Sequence, residues 1–351
     1  MHYNSRFVSL QFCYDFRMKA VNTPIPEGQR PGVQHVTVDA SHAGQRLDNF
    51  LLTTLKGVPR THVYRLLRKG EVRVNKGRTR PDYRLEEGDI VRIPPVRRAE
   101  SAGRQVAARA AATGRFDWLH ERVLFEDEHL LVIDKPGGLA VHGGTGVSVG
   151  LIEALRQLWP HSPFLELAHR LDRDTSGCLV IAKSRQVLVR LHDMLREGEV
   201  DKRYLALVRG AWRGGIRHVQ AALEKNRPAS GERRVEVGEE GKESASEFRP
   251  REKFPQATLV EVRLLTGRMH QARVHAVHID HPIAGDDKYG DAAFNRSMKH
   301  AGLTRLFLHA ASLDFRHPLS GRKLHVQAPL PAELGRVLEK LRTQPDIDST
   351  S

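Results

Sequence analysis

Apolar residues recur at helical spacing in RLDNFLLTTL, where Leu47, Phe50, Leu51 and Leu55 fall on one face. A second short helix is predicted just after it: Pro59 suits its first turn, Val63, Leu66 and Leu67 make its stripe, and Gly70 suits its C-terminal cap. The period then changes from helical to alternating in EVRVNKGRTR, which runs into an Asn-Lys-Gly turn, and LEEGDIVRIPP offers a further turn and strand. These signals predict a unit over residues 31–96, with two helices packed on a small sheet.

Residues 97–115 are rich in Ala and Arg and lack apolar periodicity, so they read as a linker. Alternation returns in VLFEDEHLLVIDKPGG and recurs at CLVIAK, RYLALVRG, ATLVEVRLL and LHVQAP. Helical spacing marks GLIEALRQLW, RQVLVRLHDMLREG, RMHQARVHAVHI and AELGRVLEKLR. The expectation is an α+β protein whose second domain, residues 116–342, carries a mixed, largely antiparallel sheet. Residues 1–30 read as a disordered extension and 343–351 as a frayed tail.

No run of the sequence approaches the roughly 18 apolar residues of a membrane span, and the N-terminus lacks the apolar core of a secretory signal. Cys13 and Cys178 are the only cysteines, too few for a disulfide framework or a thiolate zinc site. The expectation is therefore a cytoplasmic protein with no membrane contact. Charge adds a partner class. Residues 1–115 hold 21 Lys and Arg against 10 Asp and Glu, so +11 of the net +14 lies in the front third of the chain. A concentrated cationic surface gains from releasing counterions on phosphates, which points to nucleic acid.

The densest chemistry lies in HRLDRDTSG, His169–Gly177, between PFLELA and CLVIAK and so in a loop joining extended runs. Asp172 could act as nucleophile or base, and Asp174, Thr175 and Ser176 could fix a turn through side-chain to backbone bonds. A Ser-His-Asp hydrolase would need a nucleophile elbow, which is missing here. A glycosidase needs one protonated carboxyl, whereas Arg170 and Arg173 favour two ionised ones. The spelling Asp172-Arg173-Asp174-Thr175 resembles the DxDxT of haloacid-dehalogenase phosphatases, but His169 and Arg170 interrupt the apolar strand those enzymes place before it. The nine residues alone leave a structural turn and these enzymes open.

The whole nonapeptide resembles the signature of the RluA family of pseudouridine synthases. DKPGGLAVHGG (Asp134–Gly144), DKRYLALVRG (Asp201–Gly210), LTGRMHQARVHAVHIDHPIAGDDKYG (Leu265–Gly290) and RLFLHA (Arg305–Ala310) resemble further blocks of that family. The front unit resembles the S4 RNA-binding domain. Together the resemblances cover roughly residues 30–340. They imply isomerisation of several uridines in large-subunit (23S) ribosomal RNA by base flipping, without cofactor or metal, by a protein expected to be a monomer. Asp172 matches the catalytic aspartate, and Arg273 its cationic partner. Tyr204 matches the aromatic residue that stacks on the base and assists proton removal from C5, and Arg170 a residue that holds the RNA stack open. Ile283 and Leu308 are expected as apolar pocket walls, and His169 as a brace of the loop. In the front unit, Arg60, His62, Arg65, Arg68, Lys69, Asn75 and Lys76 are expected to face RNA phosphates.

Two further features carry weaker signals. His270, His275, His278 and His281 have spacings that could suggest a metal, but no zincin motif or cysteine pair accompanies them. The glycines of HGGTGVSVG lack the Lys-Ser/Thr that closes a phosphate loop and read as a turn bordering the RNA cleft. Met269 and Ala272 depart from the commoner GRTHQIR spelling at positions that carry no proposed charge chemistry.

Overall fold

The computed structural model describes residues 32–39, 42–55, 58–96, 114–143, 149–226 and 234–343. The extension expected at 1–30, nearly all of the linker and tail, and most of the HGGTGVSVG glycine turn lie outside the described residues.

The front unit contains β1 (Gln34–Thr37), α1 (Leu47–Thr54), α2 (Arg60–Lys69), β2 (Arg73–Val74) and β3 (Ile90–Ile93). Its antiparallel sheet runs β1-β3-β2. The predicted helical faces close on one core of Leu47, Phe50, Leu51, Leu55, Val63, Leu66 and Leu67, together with Val74, Val91 and Ile93 from the strands. Pro59 caps α2 from outside rather than lying in its first turn, and Gly70 ends the helix in the left-handed conformation expected of it. Asn75 and Lys76 both take positive φ, 48° and 70°, in the turn after β2.

The second unit begins with a 3-10 helix (Asp117–Arg122), β4 (Val123–Glu126), β5 (Leu130–Lys135), α3 (Leu151–Leu158), β6 (Glu166–Leu167), β7 (Ser176–Ala182) and α4 (Arg185–Glu197). It continues through β8 (Asp201–Arg209), β9 (Arg217–Asn226), β10 (Arg234–Val237), β11 (Lys242–Lys253), β12 (Ala257–Leu264) and α5 (Gln271–His278). It ends with α6 (Ala292–His300), β13 (Leu308–Arg316), β14 (Lys323–Gln327) and α7 (Ala332–Arg342). The described strands form an 11-stranded sheet in the order β10-β9-β11-β12-β8-β13-β7-β5-β4, with β14 on β13 and β6 on β7. All pairings are antiparallel except β13 with β7, so the sheet is two antiparallel halves joined by a parallel seam.

The central strands are covered on both faces, which is why their sequences read as near-continuous apolar runs. In β7, Leu179 and Ile181 enter one core while Cys178, Val180 and Ala182 enter the opposite one, packed against Val187, Leu191 and Met194 of α4. In β8, Tyr204, Ala206 and Val208 share the first core with α3 and with Ala272 and Ala276 of α5, while Leu207 joins α6 and α7 on the other face. At the seam Gly177 pairs with Ala310, and its φ of 109° excludes a side chain: a Cβ there would lie 2.2 Å from the Ala310 carbonyl oxygen. The backbones of β7 and β13 therefore close tightly one residue past the Asp172 loop.

Candidate active site

The loop between β6 and β7 is held by buried polar groups. Lys135, fully buried at the end of β5, donates from Nζ to the carbonyls of Pro136 (2.8 Å), Leu139 (2.9 Å) and Arg173 (2.8 Å). The Gly138 N–H donates to the same Arg173 oxygen, and Thr175 N–H closes a turn onto the Asp172 carbonyl. Burial pushes the Lys135 ammonium down to about 7 against the opposing pull of Asp174 and Asp172. Arg305 reaches Ser176 Oγ (3.1 Å), which also meets His309 Nδ1 (2.9 Å), and His309 Nε2 bonds the Ala328 carbonyl. Seam and loop are thus tied into one network.

His169 takes the bracing role expected of it. Its Nε2 accepts the Val180 N–H at 3.1 Å, and burial followed by the nearby Lys202 charge pushes the imidazole down to about 4. At neutral pH it is an acceptor. Asp174 pairs with the neighbouring Arg173 Nε (3.1 Å), so it belongs to the turn.

Asp172 faces a cavity of about 450 Å³ whose wall also includes Arg170, Tyr204, His270, Arg273 and Leu308. Four of the blocks that lie far apart in sequence therefore converge. Arg273 Nη1 donates to Asp172 Oδ2 at 3.3 Å. The same guanidinium grips Asp286 with two parallel bonds, Nε to Oδ2 (2.8 Å) and Nη2 to Oδ1 (2.7 Å). Asp286 is buried and also accepts the N–H groups of Lys288 and Tyr289, so it fixes the arginine in place. The two carboxylates hold the Arg273 cation well above its ordinary range despite its burial, and Arg273 holds Asp286 well below the ordinary carboxyl range.

Tyr204 is buried on β8 between Val262 of β12 and Ala310 of β13. Burial and, next, the Asp172 charge push its phenol far above the ordinary value of 10. The hydroxyl is protonated at neutral pH, and the residue borders the cavity beside Asp172. Leu308 lies in the cavity wall, as expected. Ile283 does not: it is 1% exposed, bridges Val208 and packs in the core behind the site. The family resemblance implied a pocket wall, but the side chain packs in the core instead.

The four histidines of the basic block do not converge. His270 faces Asp172, His275 Nε2 bonds Ser244 Oγ (2.8 Å), and His281 meets the Arg209 carbonyl (2.6 Å) and lies tilted against the Trp212 ring. Among the described residues no group of three or more His, Cys, Asp or Glu is placed to hold a metal. In the front unit Arg60, Arg65, Arg68, Lys69 and Lys76 are exposed. Asn75 is spent on its turn instead, donating to Asp89 Oδ1 (2.7 Å) and accepting the Ile90 N–H (2.9 Å), so it is a brace rather than a phosphate ligand. Sequence reasoning missed Lys135, Asp286, Tyr289 and Arg305, whose roles depend on contacts across the fold; the GDDKYG spelling was the only local signal for Asp286 and Tyr289. No helix among the described residues is long and apolar enough to cross a membrane.

Comparison with known proteins agrees with this geometry. Residues 129–278 match the RNA pseudouridylate synthase family and residues 45–91 the S4 domain. The chain is 53% identical over 312 residues to ribosomal large subunit pseudouridine synthase C of Yersinia pestis, covering 89% of this chain and 97% of that protein. Against the Escherichia coli (strain K12) protein of the same name, identity is 53% over 316 residues, 90% of this chain and 98% of the relative. Among solved structures, human RNA pseudouridylate synthase domain containing 4 aligns with a TM-score of 0.53 at 26% identity, over 68% of this chain and 97% of that one. With Asp172 held by Arg273 at the cavity beside a buried Tyr204, and with these matches, the chain belongs to the RNA pseudouridylate synthase family and carries an S4 domain in front of its catalytic unit.

Proposed function

We propose that this isomerase converts several uridines of large-subunit (23S) ribosomal RNA to pseudouridine, with Asp172 as the group that reacts at the nucleotide. The observation that carries this reading is the Asp286–Arg273–Asp172 chain, which ends on a carboxylate at the cavity wall. Isomerisation breaks the bond between N1 of uracil and C1′ of ribose, turns the base and joins C5 to C1′; the C5 proton is lost and N1 gains one. An ionised carboxylate can act either on C1′ or on a sugar proton, and the Arg273 guanidinium fixes the position of its Oδ2.

The remaining groups support handling of a flipped nucleotide. A uridine in folded RNA must leave its stack to expose C1′, at a cost of a few kcal/mol. Arg170 is exposed at the cavity rim and suits the vacated space, Tyr204 supplies a ring face for the base, and Leu308 closes the apolar side. The exposed cations of α2 and the following turn suit the phosphates of the same RNA. The domain limits that fit this reading are 31–96 for the S4 unit and 116–342 for the catalytic unit, in a monomer working in the cytoplasm without metal or cofactor.

The test is a map of pseudouridines in ribosomal RNA from cells with and without the protein. Loss at a few large-subunit positions is expected. An unchanged map would overturn the substrate.

A further inference from the structure

His270 stands at the start of α5 with φ 55° and ψ 17°, a left-handed conformation uncommon for any residue with a Cβ. Two polar partners lie beside its ring. His270 Nδ1 is 2.7 Å from the Tyr289 hydroxyl, whose oxygen accepts the Val235 N–H at 3.0 Å, leaving its hydrogen for the imidazole. When the hydroxyl donates to Nδ1, the ring hydrogen sits on Nε2. That nitrogen faces Asp172 Oδ1 at 3.7 Å, the oxygen that Arg273 does not touch. Burial pushes the imidazole below its ordinary value, which agrees with a neutral ring of fixed tautomer.

Arg273 alone holds one oxygen and leaves the carboxylate able to pivot about its Cβ–Cγ bond. We propose that His270, oriented by Tyr289, is a second positioning residue that closes onto Oδ1 when RNA enters and fixes the plane of the Asp172 carboxylate. The present 3.7 Å is longer than a hydrogen bond, and a closure of about half an ångström completes it, as catalytic contacts tighten in substrate complexes. The inference rests on Asp172 being the reacting group.

Two substitutions separate positioning from a structural role. Gln places a donor where Nε2 lies but forfeits the acceptor for Tyr289. Asn keeps an acceptor near Nδ1, cannot reach Asp172, and tolerates the left-handed backbone better. Turnover of H270Q, H270N and D172N would be measured by tritium release from a large-subunit rRNA transcript carrying 5-tritiated uridine, alongside thermal unfolding. H270N should unfold at the same temperature as H270Q or higher, yet lose about tenfold in kcat with KM unchanged, while H270Q stays within about threefold of the parent. Activity that follows stability, with H270N equal to or above H270Q, overturns the proposal. Full activity of D172N would instead overturn the assignment on which it rests.

Discussion

His169 illustrates how one residue of the reactive loop serves folding through a protonation state. Its Nε2 accepts a backbone N–H, so the ring must be neutral, and its pKa falls from 6.5 to about 4. Between those values the unfolded chain binds the proton that the folded chain refuses. Stability therefore rises with pH across the window and is lost as pH falls from 6.5 toward 4. In His169→Gln a side-chain oxygen replaces Nε2 without titrating. The variant should be about 1 kcal/mol less stable than the parent at pH 7. The gap should close or reverse by pH 4.5 in urea unfolding curves, whereas parallel pH profiles would assign the acid sensitivity to other groups. Asp172 and Arg273 differ in kind from His169: their contacts serve a charge that faces the cavity, at the expense of burying a cation between two carboxylates.

The seam between β7 and β13 sets the position of that charge, because the loop bearing Asp172 enters β7 beside the tight Gly177–Ala310 pairing. Gly177→Ala would push a methyl group against the Ala310 carbonyl at a φ that disfavours any side chain. A loss on the order of 3 kcal/mol and a fall in Tm of several degrees are expected, with activity reduced by displacement of the loop. A change of Tm under about one degree would show that the seam yields freely. Elements with a clean apolar period were legible in the sequence: α1, α2, α4 and β7 lie where their patterns put them. β11 was not, although it is the longest described strand at 12 residues. Its inward face carries Ser244 and Ser246, which bond His275, the Ala221 carbonyl and Gln271, so a polar face is buried and the hydrophobic alternation vanishes. Gly70 could be read as a cap because one turn decides it, whereas the burial of Ile283 depends on packing against residues far away in the chain, with a bridge to Val208, 75 positions earlier. The same distinction divides the site. Asp172, Tyr204 and Arg273 were found through motif resemblance, but Lys135 and Arg305, which hold the loop through backbone carbonyls and Ser176, carry no local pattern that states their role.

Across the whole molecule, cationic surface and reactive carboxylate are distributed differently. Most of the positive excess lies in residues 1–115, whereas the cavity and its clamped aspartate belong to the second unit. RNA affinity should therefore depend on many phosphate contacts and fall steeply with salt, while chemistry depends on one side chain. Asp172→Asn removes a charge without removing volume and leaves the basic surfaces intact. The decisive measurement is tritium release from 5-tritiated uridine in large-subunit ribosomal RNA by this variant, with its RNA affinity followed over a range of salt. The account predicts parental affinity and salt dependence with tritium release abolished; release at the parental rate would contradict it.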